Sequence, residues 1–503
     1  MLKFFLRWEF TCLWAGILLA LSFSPFDLIY CPFIGLALLF KSLDQANLKQ
    51  ACFRGGLFGL GYFGVSVSWV FVSIYFYGHA HILLAILLTF IFCFFWSLTI
   101  VLFSTVSVLL TSPGSFARMV FMPVFWCLVE YFRGQFILNG FPWLQIAYSQ
   151  LESPLSGYIP VIGVYGVGFI VALFSSLMVL SFARKKGFVY LPLLVFIVFG
   201  SGLYLKTIAW SKPAGEPLTV TLLQGNISQD HKWDPRYKVK TMNWYKQKTE
   251  QHWDSDLVIW PETAIPAFQH EINLDFLNPL SAAAERNDTA LIVSLPIRNQ
   301  ANGEYYNAAL TLGSGHGMYK KIHLLPFGEY LPLQPMSGYL LESLNIMPIG
   351  SFTPGSEQQD LMQAKGFPFI LTICYEAVFG EQTPARLKDA RFLVNVTNDG
   401  WFGNSLEPYQ HMQMARMRAL ESGRYLLRVT NTGQTAIVDP QGMIREQAPL
   451  FEPSELTGDI VPMVGITPIT VIGDKVIVMI LIIIFLLITV LGYKGRATRL
   501  SIG

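Results

Sequence analysis

Only 16 of the 68 charged side chains fall within the first 206 of 503 residues, and only five follow residue 470; the remaining 47 occupy residues 207–470. A long stretch so poor in charge has no counterpart in ordinary water-soluble domains, and about 20 apolar residues suffice to cross a bilayer as a helix. The mean hydropathy of +0.45, with 53% hydrophobic and 14% charged residues, places the whole chain in the membrane class. Three regions are expected: a membrane domain over 1–206, a soluble-type domain over 207–470, and a membrane helix with a short tail over 471–503. The middle block is long enough to bury a core of its own.

The apolar runs give about eight candidate spans: Phe10–Phe23, Leu28–Phe40, Gly55–Tyr77, Ile82–Leu110, Ala117–Phe132, Tyr158–Ala183, Phe188–Leu205 and Val476–Leu491. The first two are short and read as a hairpin broken at Ser24–Asp27. A cleaved signal peptide is the rival for the first, but no A-x-A site follows it, so an uncleaved helix is expected. Positive loops stay cytoplasmic. Lys3 and Arg7, Lys41, Lys49 and Arg54, Arg118, the Ala183–Lys186 "ARKK" run, and Lys494, Arg496 and Arg499 then all lie inside if seven spans precede the polar block and one follows it. The block is thereby expected outside the inner membrane, in the periplasm of a bacterium with two membranes.

A net charge of +2 gives no electrostatic footprint for nucleic acid. Cys12, Cys31, Cys52, Cys93 and Cys127 sit in or beside apolar runs, where cysteine acts as a small hydrophobe. Cys374 is the one thiol of the polar block, which therefore has no internal disulfide. "GLGYFG" from Gly59 fits a loose glycine pattern but lies inside a candidate span, and nucleotide binding is not inferred from it. No His/Cys/Asp grouping has the sequence spacing of a metal site, and no cofactor is expected.

Within the polar block, "LTVTLLQG", "SDLVIWPE", "ALIVSLPI", "YNAALTL", "FPFILTICYE", "RFLVNVTND", "RYLLRVTNTG" and "TAIVDP" read as buried strands. Helices are expected over Tyr237–His252 and Tyr409–Ser422. This alternation argues for a layered α/β domain. Three strand ends carry reactive groups: Glu262 after "VIWP", Lys321 and Glu329 around the turn Pro326–Gly328, and Cys374 at the end of "LTIC". A nearby lysine lowers a thiol pKa, a glutamate takes its proton, and an ammonium stabilises an oxyanion. Cys, Glu and Lys together would make an acyl-transfer site. Position alone also admits a buried apolar cysteine, a solvated turn glutamate and a surface Lys320–Lys321 pair.

"WPE", "YKKIHLLPFGE" and "CYE" occur in the order of the Glu–Lys–Cys triad and resemble the nitrilase (carbon-nitrogen hydrolase) superfamily. Together with "SVSWVFVSI", "NGFPWLQIAYSQ", "QGNISQDHKWD", "VTNDGWFG" and "HMQMARMRALESGRYLLRVTNTG", the chain is similar to the apolipoprotein N-acyltransferase family over nearly its whole length. The resemblance implies an α-β-β-α sandwich carried by a polytopic helical domain. It implies Cys374 as nucleophile, Glu262 as general base and Lys321, chosen over Lys320 by the Y-x-K-x-H-L pattern, as oxyanion stabiliser. Glu329 would orient Lys321. The Tyr375 N–H would complete the oxyanion site, Glu376 follows it, Trp233 would meet lipid and Asn307 would support the pocket.

The implied reaction moves the sn-1 acyl chain of a phospholipid such as phosphatidylethanolamine onto Cys374, and then onto the α-amine of a diacylglyceryl-cysteine in an apolipoprotein. Glu130 and Arg133 admit two readings, a headgroup contact or a structural ion pair. A membrane-anchored amidase acting on a small amide is the alternative, and eight spans exceed what an anchor needs. A transporter with an outer domain is the second rival, and the near absence of ionisable groups inside the spans counts against it.

Overall fold

The computed structural model describes residues 2–183, 190–332, 339, 351–380 and 386–500. The basic run at 184–186 lies outside the described residues, as do the side chains of Lys3, Arg7, Lys494, Arg496 and Arg499. The chain divides into two compact units. One comprises Met1–Phe71, His81–Ile208 and Ile472–Gly503; the other comprises Val72–Ala80 and Ala209–Val471.

The first unit is helical: Leu2–Ala20, Cys31–Leu43, Leu48–Ser66, Ile82–Leu110, Phe116–Gln135, Ile159–Ala183, Tyr190–Lys206 and Asp474–Leu500. Among the described residues three segments are long and apolar enough to cross a membrane, Ile82–Leu110, Pro154–Phe182 and Asp474–Leu491. The number is four if Leu48–Ser66 and Val70–Tyr77, bent by 60°, count as one. The expected count of eight is therefore not reached on length and composition. Cys31–Leu43 has 13 residues, a rise of about 20 Å against a hydrocarbon layer of about 30 Å.

The expected single span Gly55–Tyr77 is instead two helices. Val67 leaves the helical region at φ −123°, ψ 10°, and the Ser68 hydroxyl donates to the Val65 carbonyl at 3.4 Å. A side-chain donor at a helix end competes with the i→i−4 ladder and favours a break. From Val72 to Ala80 the chain belongs to the second unit, where the Tyr77 ring meets Trp401 edge-on at 5.5 Å.

Helix starts and close contacts follow from local sequence. Asn47 and Gln50 form a reciprocal capping box, and Ser115 caps Arg118 N at 3.1 Å. Two glycines of the "GLGYFG" run, Gly59 and Gly61, serve packing. A Cβ on Gly61 would strike the backbone of Leu13 and Ile17, and one on Gly16 would strike the Phe58 carbonyl. Without a hydrophobic drive inside a bilayer, such backbone approach is what holds helices together. Arg118 is fully buried and donates to the carbonyls of Leu43, Asp44 and Thr111, each at 2.8 Å. A guanidinium there answers the negative ends of two helices. Glu130 and Arg133 form no ion pair with each other. Glu130 accepts from Ile146 N at 2.9 Å, while Arg133 lies 5.3 Å above the Phe63 ring and donates to the Leu144 carbonyl at 3.4 Å.

Besides a two-stranded pairing of Lys212–Pro213 with Met463–Val464, the second unit holds two larger sheets among the described residues. Its strands are β1 (Leu218–Gln224), β2 (Leu257–Ile259), β3 (Ala290–Arg298), β4 (Tyr305–Gly313), β5 (Gly315–His316), β6 (Met318–Lys320), β7 (Met362–Ala364), β8 (Phe367–Ile373), β9 (Leu393–Thr397), β10 (Leu426–Thr430), β11 (Ala436–Val438), β12 (Ile444–Gln447) and β13 (Ser454–Ile460). One sheet runs β13-β1-β2-β3-β4-β6 and the other β12-β11-β10-β9-β8-β7-β5. β1, β2 and β3 are parallel, as are β8, β9 and β10.

Val220, Leu222, Ile259 and Ile292 of the first sheet share a core with Leu371, Ile373, Val394 and Leu427 of the second. The sheets therefore pack face to face, and their outer faces are covered by helices. Pro235–Glu250 and Asn278–Arg286 close the first, and Glu407–Ser422 closes the second. This is the layered α-β-β-α arrangement, built from strands read correctly as apolar runs. Asp234 caps the first of these helices at Arg236 N, and Gly423 at φ 62° ends the last.

The packing of Gly61 yields a first prediction. Gly61→Val forces the helices Leu2–Ala20 and Leu48–Ser66 apart and should cost roughly 1–3 kcal/mol. It should lower the thermal midpoint of the detergent-solubilised protein, and an unchanged midpoint would refute this account of the contact.

Candidate active site

Each reactive side chain sits just past a strand end, where the backbone leaves the ladder and the side chain is released from the sheet. Glu262 follows β2 through Trp260 and Pro261, and its carboxyl is buried. The turn is locked by Thr263, at φ 48°, whose N–H donates to Ser294 Oγ at 3.0 Å. Lys321 follows β6 and is 1% exposed. Its Nζ lies 2.7 Å from Glu329 Oε2 and 3.6 Å from Glu262 Oε1.

Asn307 on β4 spans the two carboxylates: Nδ2 donates to Glu262 Oε1 at 2.8 Å and to Glu329 Oε1 at 2.9 Å. Glu329 also accepts from Leu325 N at 2.8 Å, which closes the turn expected at Pro326–Gly328. Lys320 faces the other way, its ammonium 4.1 Å above the Tyr306 ring.

Cys374 belongs to the second sheet. It does not end the strand, as expected; β8 stops at Ile373 and Cys374 opens a short turn, Cys374–Val378, at φ 52°. A non-glycine residue in this region is strained and persists only where its surroundings hold it. Two side chains hold it. His411 Nε2 donates to the Cys374 carbonyl at 3.2 Å, and Asn395 Nδ2 approaches the same oxygen at 3.4 Å.

Glu376, two residues on, accepts from Ile373 N at 2.7 Å, Ile322 N at 2.6 Å, His323 N at 3.0 Å and the Tyr319 hydroxyl at 3.0 Å. One carboxylate thus ties the cysteine turn of one sheet to the lysine loop of the other. Tyr375 is buried, with its ring edge-on to Phe379. Trp233 is exposed.

The electrostatics depart from expectation. Burial pushes the Cys374 thiol well above its usual range, the Glu262 carboxylate adds to this, and Lys321 only partly offsets it. The lysine was expected to lower the thiol pKa. It does not prevail because its own charge is already committed to two carboxylates. Burial also disfavours charge on Lys321, but Glu329 and Glu262 outweigh that and hold it above an ordinary lysine. At neutral pH the sulfur is therefore a thiol, and it needs a base to take its proton before it can act as a nucleophile.

Two groups escaped sequence reasoning. Lys232 is a second buried amine, whose Nζ donates to the Glu262 carbonyl at 3.1 Å. The other is the buried chain Arg428–Asp399–His411. Arg428 Nη2 donates to Asp399 Oδ2 at 2.9 Å, and His411 Nδ1 meets Asp399 Oδ1 at 3.0 Å. A carboxylate and a carbonyl only accept, so His411 donates from both ring nitrogens and is an imidazolium. Asp399, Glu407 and His411 offer atoms within 4.8 Å of one another, closer than their sequence spacing suggested. Both His411 nitrogens are committed to hydrogen bonds and Arg428 already supplies the countercharge. The signal for this network was Asn395 and Asp399 interrupting or ending the apolar run "FLVNV", together with His411 within "PYQHMQMA".

Residues 15–177 match the family described as Apolipoprotein N-acyltransferase N-terminal domain, and residues 219–466 match Carbon-nitrogen hydrolase. An Apolipoprotein N-acyltransferase of Methylococcus capsulatus is 45% identical over 91% of each chain. The chain belongs to the apolipoprotein N-acyltransferase family. It is an enzyme of carbon-nitrogen hydrolase type. Family members from Coxiella burnetii and Pseudomonas aeruginosa are 38% and 40% identical, covering 95% and 90% of this chain and 98% and 90% of their own. In this family member Glu262, Asn307, Lys321, Glu329 and Cys374 all fall within the carbon-nitrogen hydrolase match.

A pH prediction follows. Burial, with Asp399 adding to it, pushes Glu407 up to about 7 from an ordinary 4.5. His411 is also raised: burial and Arg428 disfavour its charge, but Asp399 and Glu407 prevail. Both groups hold protons in the folded state that the unfolded chain releases sooner. Their stabilisation is complete below the unfolded values and is lost as pH rises through the folded ones. Unfolding free energy should fall by about 1 kcal/mol between pH 6 and 8.5. Denaturation of Glu407→Gln should show a flatter pH dependence, and an unaltered slope would refute the assignment.

Proposed function

We propose that the enzyme carries an acyl chain from the sn-1 position of a phospholipid, phosphatidylethanolamine being the expected donor, to the N-terminal α-amine of a diacylglyceryl-cysteine. The observation that carries this reading is the buried cluster of Glu262, Lys321, Glu329 and Asn307, electrostatically coupled to the Cys374 thiol, in a chain rich in apolar helices.

In the first half-reaction Glu262 takes the Cys374 proton as sulfur attacks the ester carbonyl. The tetrahedral oxyanion is stabilised by Lys321 and by the Tyr375 N–H. Collapse expels the glycerol oxygen, which recovers the proton from Glu262, leaving a thioester and a lysophospholipid. In the second half-reaction a neutral α-amine attacks the thioester, Glu262 removes the ammonium proton, and collapse yields the amide and restores the thiol. The scheme is ping-pong.

Glu329 and Asn307 hold Lys321 and Glu262 at their stations. Glu376 sets the cysteine turn against the lysine loop. Water near the thioester would divert the acyl group to hydrolysis. Exposed Trp233 is a fitting lipid contact, since an indole suits an interface.

The topology that serves this chemistry is seven spans over 1–206, a periplasmic catalytic domain over 207–470 and an eighth span within 471–503. The helices Trp8–Ala20, Cys31–Leu43 and Tyr190–Lys206 are apolar but short, and with Phe116–Gln135 they supply the remaining crossings. The anchored amidase is the weaker reading, because the family relatives are named for acyl transfer.

Intact mass after incubation with phospholipid alone tests nucleophile and donor together. An acyl adduct should map to Cys374 and be released by neutral hydroxylamine, and it should be absent from Cys374→Ala, which should also lose turnover. An adduct mapped elsewhere would refute the scheme. Lys321→Ala should lower the acylation rate roughly 10³-fold while Lys320→Ala stays within about threefold. Equal losses would show that the oxyanion charge resides elsewhere.

A further inference from the structure

The centre holds a buried amine that the scheme above leaves idle. Lys232 closes the short helix Gln229–Lys232 and is 5% exposed. Its ammonium makes one hydrogen bond among the described residues, to the Glu262 main-chain carbonyl, and no ion pair within 4.0 Å among them. An ammonium carries three donors, so two are left over. Lys321 differs: both flanking carboxylates already answer its charge.

Counting formal charge over Glu262, Glu329 and Lys321 gives −1. A negative charge developing at sulfur, and then on the ester oxygen, would arise inside a cluster that is already anionic. Lys232 brings the set to neutrality. Moving a proton from Cys374 to Glu262 leaves that total unchanged, so the benefit lasts through thiolate and oxyanion alike.

We propose that Lys232 is a positioning residue of the acyl-transfer centre, holding the Glu262 turn through its carbonyl and supplying the uncommitted positive charge that favours the Cys374 thiolate. This rests on the acyl-transfer reading for the identity of the nucleophile and base. The groups that act on it are Glu262 and Cys374, with Lys321 and Glu329 beyond Glu262, and Asp399 facing Cys374 from the second sheet. Burial lowers the Lys232 amine, Glu262 and Cys374 offset part of this, and it comes to rest at about 8. It is charged at neutral pH and loses its charge within one or two pH units above.

The test uses the full-length protein in detergent micelles and reads two signals. Alkylation of Cys374 by iodoacetamide, followed on the Cys374 peptide by mass spectrometry across pH 6–10, reports thiolate formation without any acyl donor. Acyl-enzyme formation from phospholipid reports the reaction.

Lys232→Gln keeps a donor to the Glu262 carbonyl but removes the charge. It should slow both Cys374 alkylation at a given pH and acylation roughly tenfold. Lys232→Arg keeps donor and charge and should stay within about threefold. Because arginine does not discharge in this range, it should also abolish the decline in wild-type acylation above about pH 8. A Lys232→Gln alkylation rate equal to wild type overturns the proposal, as does a pH decline that persists in Lys232→Arg. Alkylation shifts as expected in a protein that forms no acyl-enzyme would leave Lys232 in place and refute the acyl-transfer reading instead.

Discussion

The second unit depends on one buried arrangement: an ammonium held between two carboxylates, with an asparagine amide bridging them. Desolvating three charges is costly, and mutual attraction offsets that cost only when geometry and hydrogen bonds are nearly complete. They are nearly complete for Lys321, Glu262, Glu329 and Asn307. The arrangement needs β2, β4 and β6 of one sheet to end or pass at the same place. Removing one partner strands a buried charge, so these side chains constrain the fold as much as they serve chemistry.

The Cys374 turn is held from the opposite sheet. A left-handed Cys374 costs on the order of 1–3 kcal/mol, and its carbonyl is gripped by a buried imidazolium braced by Asp399 and Arg428. Glu376 then joins that turn to the Lys321 loop with main-chain hydrogen bonds. Two sheets packed face to face could slide; a carboxylate bonded to both limits that freedom. The thiol is consequently positioned but not ionised. A neutral sulfur that becomes nucleophilic only with a base in contact is less exposed to stray oxidation and alkylation than a resting thiolate.

The helical unit follows different physics. Glycine-mediated backbone approach, as at Gly16 and Gly61, substitutes for hydrophobic burial, and Arg118 satisfies helix-end carbonyls with a charge. The bend after Ser66 breaks one apolar run into two helices of different direction, and from Val72 to Ala80 the chain belongs to the soluble-type unit.

Charge distribution, apolar run length and strand-sized apolar segments are local properties, and they were legible in the sequence. The helices Ile82–Leu110 and Glu407–Ser422 and the principal strands from Leu218 to Val438 could be read because periodicity and turn chemistry are written within a few residues, whereas for Glu262, Lys321 and Cys374 position alone left their roles open. The short strands Met318–Lys320 and Ser454–Ile460 were not, since their pairing partners, Tyr305–Gly313 and Leu218–Gln224, supply the stability that their own composition lacks. Lys232 and Arg428 were silent for the same reason, and Asp399 and His411 showed only as polar groups beside apolar runs. Each is an ordinary polar residue until the sheets bring it beside Glu262 or Cys374. The direction of the thiol's pKa was likewise decided only by the tertiary structure, because desolvation and the sum of several neighbouring charges depend on distances that no single segment contains.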